Sequence, residues 1–282
     1  MQSRGQSYSH PMSSLFLSIT LEALLLFLLL GSLVGLVAGL FGVGGGLVIV
    51  PALIWGLPLL EVSPEHVAHI AVGSSLATIV ITAISSTRAH HKRGAVEWRD
   101  FWILMPGLLI GAWLGSVVAG MLSGHLLQTL FGIFAIIVGL RMLRGGKARN
   151  SKLHLTSWIM AAVATLIGGI SAIVGIGGGS MTVPFLHATG VEMKRAVATS
   201  SACGLPIALS GASSFVVVGW GLEGLPPFSS GYVYWPVVFI IIITSSLFAP
   251  AGAALAHRLP ERRLKVVFAL FLILVGTKLL IG

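Results

Sequence analysis

The segment Gly42-Val-Gly-Gly-Gly-Leu-Val-Ile-Val-Pro51 occurs a second time as Gly175-Ile-Gly-Gly-Gly-Ser-Met-Thr-Val-Pro184, 133 residues further along. Each copy places four glycines in five residues and a proline five residues after the last of them. Such a stretch does not sustain a regular helix, because glycine loses much conformational entropy on ordering and proline removes an N–H donor. Yet the flanking runs are apolar and long enough to cross a bilayer. In hydrocarbon every backbone polar group must be satisfied, so a broken segment survives only if it is buried in protein or lines a cavity. A helix that starts at the glycines aims free N–H groups and the positive end of its dipole at whatever lies there. Two such starts related by a pseudo-two-fold axis make an anion site. The stretch is not a nucleotide loop: no Lys-Ser or Lys-Thr follows it, and no Rossmann strand precedes it.

The repeat extends outward from these motifs. Ala71-Val-Gly-Ser-Ser75 matches Val197-Ala-Thr-Ser-Ser201 at an offset of 126, and Gly115–Gly139 matches Gly252–Gly276 at an offset of 137. Together the matches cover most of residues 30–143 and 163–280. Composition agrees with a membrane chain: 56% of the 282 residues are hydrophobic and 9% are charged, against about 25% charged in a soluble domain. A soluble enzyme, a nucleic-acid-binding domain and a disordered protein are excluded. The net charge of +9 does not restore a nucleic-acid partner, because the basic residues sit in a few short segments between apolar spans. The single Cys203 excludes a disulfide framework and a cysteine-built metal site.

The expected organisation is an all-α polytopic membrane protein with an inverted internal repeat, each half holding about four spans plus one Gly/Pro-broken segment. Residues 1–14 form a polar N-terminal segment, 15–143 the first transmembrane repeat, 144–156 a cytoplasmic linker and 157–282 the second repeat. One alternating topology puts fifteen of the seventeen Lys and Arg residues inside, leaving Arg4 and Lys278 outside with both termini. Trp98, Trp102 and Trp158 then fall at the inner interface, and Trp220 and Trp235 at the outer one. The turn 122–125 lies outside while its repeat counterpart 258–264 lies inside, so the halves are inverted. Inverted repeats with paired interrupted segments mark transporters, the interruptions pointing to a binding site near the midplane.

The residues expected to bind the substrate are Gly44, Gly45 and Gly46, Ser74 and Ser75, Gly177, Gly178 and Gly179, and Thr199, Ser200 and Ser201; for the glycines the alternative is close helix packing. Hydroxyls donate to anion oxygens without fixed charge; alternatively, they bond back to their own helix. Arg88, Lys194 and Arg195 are vestibule candidates or plain positive-inside anchors. Gly31, Gly35 and Gly39, and Gly107, Gly111 and Gly115, read as small-residue packing ridges. They pack within one chain or between two copies, the second giving a homodimer. Glu22 is an acid inside an apolar run and so a proton-carrier candidate; alternatively, lying near the outer end of the first segment and outside the repeat, it snorkels to the interface. His66 and His69 share a helical face, but no carboxylate or thiol joins them, so no metal and no cofactor are expected. His187 is read as a core or interface residue.

The paired Gly-hydrophobic-Gly-Gly-Gly…Val-Pro segments, each followed by a Gly/Thr-Ser-Ser cluster, resemble the sulfite exporter TauE/SafE family over nearly the whole chain after residue 30. The resemblance implies a secondary transporter in the bacterial cytoplasmic membrane, not an enzyme. It implies export of a small sulfur-containing anion such as sulfite, sulfoacetate or a related organosulfonate, with the glycines and serines lining the path. Gly73 stands where the second half has Thr199, so one half of the site offers fewer donors. The competing readings are a transporter or channel for another small anion such as a carboxylate, and a non-transporting accessory subunit.

Overall fold

The structure is a computed structural model describing residues 21–41, 45–144, 155–256 and 261–281. Among these are ten α-helices: α1 Leu21–Phe41, α2 Gly46–Gly56, α3 Pro64–Lys92, α4 Trp98–Met121, α5 Gly124–Arg144, α6 Ser157–Val174, α7 Gly179–Ala188, α8 Met193–Val218, α9 Trp235–Ala256 and α10 Glu261–Ile281, with a short 3-10 turn, Leu57–Leu60, after α2. Five of them, α3, α4, α5, α6 and α8, are long and apolar enough to cross a membrane. The chain is an all-α polytopic membrane protein. Leu15–Thr20, Gly42–Gly44, the side chain of Glu22 and the surroundings of Gly39 lie outside the described residues. The basic segment after α3 differs from the sequence reading. Arg88 and Lys92 belong to the helix itself, and Arg99 to the first turn of α4. Cations in a last turn complement the negative end of the helix dipole, so α3 continues past its apolar stretch.

Glycine sets the pairings. A Cβ at Gly107, Gly111 or Gly115 would strike the backbone carbonyls of Ala161, Thr165 and Gly169, so α4 and α6 lie backbone to backbone and run parallel. Gly31 and Gly35 meet Ile241, Thr244 and Ser245 in the same way, making α1 and α9 a second parallel pair. Gly31, Gly35, Gly107, Gly111 and Gly115 are therefore consumed inside one chain and are not available to join two copies. A Cβ on Gly132 would lie 2.9 Å from the Gly276 carbonyl, and one on Gly139 2.8 Å from that of Ala269. The second contact is the first with its two partners exchanged by the 137-residue offset, and the rising and falling numbers make α5 and α10 antiparallel. Gly73 against Phe215, Leu76 against Gly211 and Ala83 against Gly204 make α3 and α8 antiparallel as well.

These directions sort the ends of the bundle. Gly124 packs on the Glu65 carbonyl, and His69 Nε2 lies 3.2 and 3.1 Å from the carbonyls of Ala119 and Leu122. The start of α3 and the α4–α5 turn thus share one end, with Glu61, Glu65 and Glu223. Arg88, Lys92, Arg93, Arg141, Arg144, Lys194 and Arg195 lie at the other, where Arg195 pairs with Glu97. The tryptophans of both ends are surface residues, from 37% exposed at Trp98 to 73% at Trp220. A short hairpin, β1 Ser229–Ser230 and β2 Val233–Tyr234, closes the acidic end. The hairpin is absent from the sequence reading, since two-residue strands leave no alternation to detect. Its turn depends on Gly231, at φ 54°, where a Cβ would strike the Val216 carbonyl. The ring of Tyr232 stacks 4.8 Å from that of His69. Burial and the Glu65 carboxylate push the Tyr232 phenol up, so its hydroxyl keeps its proton.

Candidate anion site

The two glycine-rich breaks meet inside the bundle. Gly45 and Gly178, equivalent in the repeat, are the residues preceding α2 and α7 and adopt the left-handed conformation at φ 75° and 74°. An L side chain resists that conformation by about 1–2 kcal/mol, which is the physical reason for glycine at these two places. Gly175 ends α6 at φ 74°, with the Ile176 N–H donating to the Ser171 carbonyl in a Schellman closure. A Cβ on Gly46 would lie 2.8 Å from the Gly175 carbonyl. The start of α2 therefore abuts the turn that precedes α7. Pro51 and Pro184 sit at equivalent places inside α2 and α7. Pro184 has no N–H to donate to the Ser180 carbonyl one turn back.

Beside the second break is a cavity of about 300 Å³. Its floor is Gly177, Gly179 and Ser180; its walls are Ile79, Thr82, Ala83 and Ser86 from α3, Val183 and Pro184 from α7, and Val197, Ser200, Ser201 and Gly204 from α8. Among the described residues, no charged side chain lines it. The first N–H groups of a helix have no intrahelical acceptor, and those of α7 begin at this floor. The hydroxyls of Ser180 and Ser200 are buried and make no hydrogen bond, and Ser200 is 2% exposed. Buried polar atoms without partners are uncommon and call for an explanation. An oxyanion supplies acceptors for these hydroxyls and for the free amides together. Lining residues Ser86 and Val197 extend the cavity towards the basic end. Towards the acidic end the way is closed by the His69 contacts and by Tyr232, whose carbonyl is 2.6 Å from the Cβ position of Gly73.

The residues singled out in the sequence divide. Gly177, Gly179, Ser200 and Ser201 line the cavity. Gly178 sits behind it, its Cβ position 2.5 Å from Ile207 and near the buried, unbonded hydroxyls of Thr182 and Ser171. Gly45 and Gly46 are buried in packing, and Gly44 lies outside the described residues. Ser75 donates to the Gly175 carbonyl at 2.8 Å, Ser74 accepts from the Tyr234 N–H at 3.0 Å, and Thr199 accepts from the Glu97 N–H at 2.9 Å. These three hydroxyls tie the fold together away from the cavity. Arg195 is paired with Glu97, while Arg88 and Lys194 are exposed at the basic end outside the lining. His187 Nδ1 lies 3.0 Å from the Val191 carbonyl and closes the turn after α7. Sequence reasoning missed Thr82, Ser86 and Ser180. Ser180 was legible as the residue after the second glycine run, where the first half has Leu47. Among the described residues, no three His, Cys, Asp or Glu side chains come together in a metal-binding group.

The sulfite exporter TauE/SafE family model matches residues 27–279. The chain belongs to that family. It is 40% identical to a probable membrane transporter protein of Haemophilus influenzae, over 90% of this chain and 96% of the relative. Probable membrane transporter proteins of Bacillus subtilis (YunE, 27% identical over 89% of this chain and 95% of the relative) and Methanocaldococcus jannaschii (MJ0441, 28% over 91% and 95%) are similar along nearly their whole length. No solved structure matches the chain. With this TauE/SafE membership, the chain is a membrane transporter, and the cavity at the second glycine break is a candidate substrate site.

Proposed function

We propose that this TauE/SafE transporter exports a small sulfur-containing oxyanion, such as sulfite, sulfoacetate or a related organosulfonate, by alternating access between two inverted halves. The observation that carries the reading is the uncharged cavity at the start of α7, where free backbone amides and the unbonded hydroxyls of Ser180 and Ser200 converge. Compact oxyanions match such donors. The antiparallel packing of α5 on α10 and of α3 on α8 supports inversion, since repeat-related helices then cross in opposite directions. The basic end is taken as cytoplasmic by the positive-inside rule, in the bacterial inner membrane with both termini outside. The cavity then faces the cytoplasm, and the hairpin and His69 seal the outer side.

Direction follows from charge. One charge crossing 100 mV changes by about 2.3 kcal/mol. A dianion leaving an inside-negative cell gains about twice that, roughly a thousandfold gradient. Export therefore requires no coupling ion. The test is efflux of labelled sulfite, sulfoacetate and a carboxylate control from proteoliposomes, with and without an imposed potential. Saturable sulfur-anion efflux that rises with inside-negative potential is expected. Faster carboxylate efflux would overturn the substrate assignment, and accumulation against the potential without an ion gradient would overturn uniport.

A further inference from the structure

A second cavity, of about 320 Å³, lies on the far side of Ser180 from the anion site. Its walls are Leu47 from α2, Phe134 and Val138 from α5, Met181 from α7 and Phe268 from α10, with Arg141 beside them. A small hydrophilic anion has no use for such walls. Its rim also includes Ile137, 57% exposed on the lipid-facing surface of α5, so the cavity is continuous with the surface that meets acyl chains. Arg141 lies one turn from Arg144 at the basic end of α5. Both are exposed, and among the described residues neither forms an ion pair. An apolar slot between spans that ends at unpaired guanidinium groups is complementary to one amphiphile: an acyl chain carrying a phosphate. Guanidinium groups bind phosphate oxygens in a bidentate manner, and basic pockets between spans recognise anionic headgroups.

We propose that this cavity is a binding site for an anionic phospholipid, with one acyl chain between α5, α7 and α10 and the phosphate on Arg141, assisted by Arg144. Leu47 and Met181 belong to the first turns of the two broken helices, α2 and α7. An occupied slot therefore buttresses the wall shared with the anion site at Ser180. The proposal does not depend on which anion is carried.

The experiment is native mass spectrometry of the full chain in mild detergent. It is titrated with phosphatidylglycerol and with phosphatidylcholine of identical acyl chains, each with and without excess inorganic phosphate. The wild-type protein binds phosphatidylglycerol about five- to thirtyfold more tightly than phosphatidylcholine, the scale of one or two guanidinium–headgroup contacts. Arg141→Gln, at an exposed position that leaves folding intact, loses most of that preference. Val138→Trp, which fills the slot, weakens both lipids, and is counted only if Cys203 stays protected from thiol reagents. Equal affinity for the two lipids, or an Arg141→Gln profile identical to wild type, overturns the proposal. Displacement of phosphatidylglycerol by inorganic phosphate also overturns it, because Arg141 then serves a free anion. None of these readouts requires transport, so failure here is separable from failure of the exporter reading.

Discussion

Ser75→Ala and Ser200→Ala change the same residue type in matching motifs, yet the structure gives them opposite consequences. The Ser75 hydroxyl donates to the buried Gly175 carbonyl at 2.8 Å, joining α3 to the turn before α7. Its removal forfeits a bond of about 1 kcal/mol and leaves a buried acceptor unpaired, at a cost of about 1–3 kcal/mol. The Ser200 hydroxyl is equally buried but bonds to nothing. Deleting it removes an unsatisfied group, so stability holds or rises by up to about 1 kcal/mol. Transport responds differently. A hydroxyl bonded to a charged ligand contributes about 1.5–3 kcal/mol, so Ser200→Ala raises the efflux KM roughly ten- to hundredfold. Two measurements on each variant decide the matter: sulfite efflux from proteoliposomes against internal concentration, and the unfolding midpoint followed by thiol labelling. The chain has one cysteine, Cys203, and it is 0% exposed, so labelling reports unfolding without an added probe. If Ser200→Ala loses as much stability as Ser75→Ala while its KM stays at the wild-type value, the hydroxyl is structural and the assignment of the cavity fails.

Gly178→Ala forces a side chain into a left-handed position and towards Ile207; a destabilisation of about 1–2 kcal/mol is expected, with a further fall in efflux as the α7 amides turn from the cavity, checked by the same pair of assays. Gly111→Leu drives a side chain into the Thr165 carbonyl of α6, and should prevent a stable monodisperse protein in size-exclusion chromatography, whereas Leu114→Ala on the exposed face of α4 should not. His69→Ala deletes the contacts to the Ala119 and Leu122 carbonyls; hydrogen exchange at the α4–α5 turn should quicken at least severalfold, and unchanged exchange would show that the acidic end is held by the hairpin alone. Swapping charges with Glu97→Arg and Arg195→Glu tests the ion pair at the basic end. As an exposed pair it is worth about 0–1 kcal/mol, so each single variant should shift the unfolding midpoint only slightly and the double variant should restore it.

Much of the architecture is legible in the chain because it depends on local properties. Apolar runs of bilayer length mark the spans, and Gly-rich stretches followed by Pro51 and Pro184 mark the two short helices with left-handed starts. Clusters of Lys and Arg mark one end, and the small-residue rows at Gly31–Gly35 and Gly107–Gly115 mark the backbone contacts. Each signal is carried by neighbours in sequence, whose period and polarity decide helix, break and end without knowledge of the partner. The chain alone also gave Ser74–Ser75 and Thr199–Ser200–Ser201 as equivalent clusters, since they are the same motif. Which hydroxyl faces a cavity was settled only by tertiary structure. Ser75 is spent on a carbonyl a hundred positions away, and Ser74 on an amide 160 away. Ser200 and Ser180 are left free because no acceptor from another helix reaches them. Helical periodicity fixes the face on which a serine lies, but the occupant of the space opposite that face comes from distant segments, and only their packing decides between a hydroxyl that braces the fold and one that waits for a ligand.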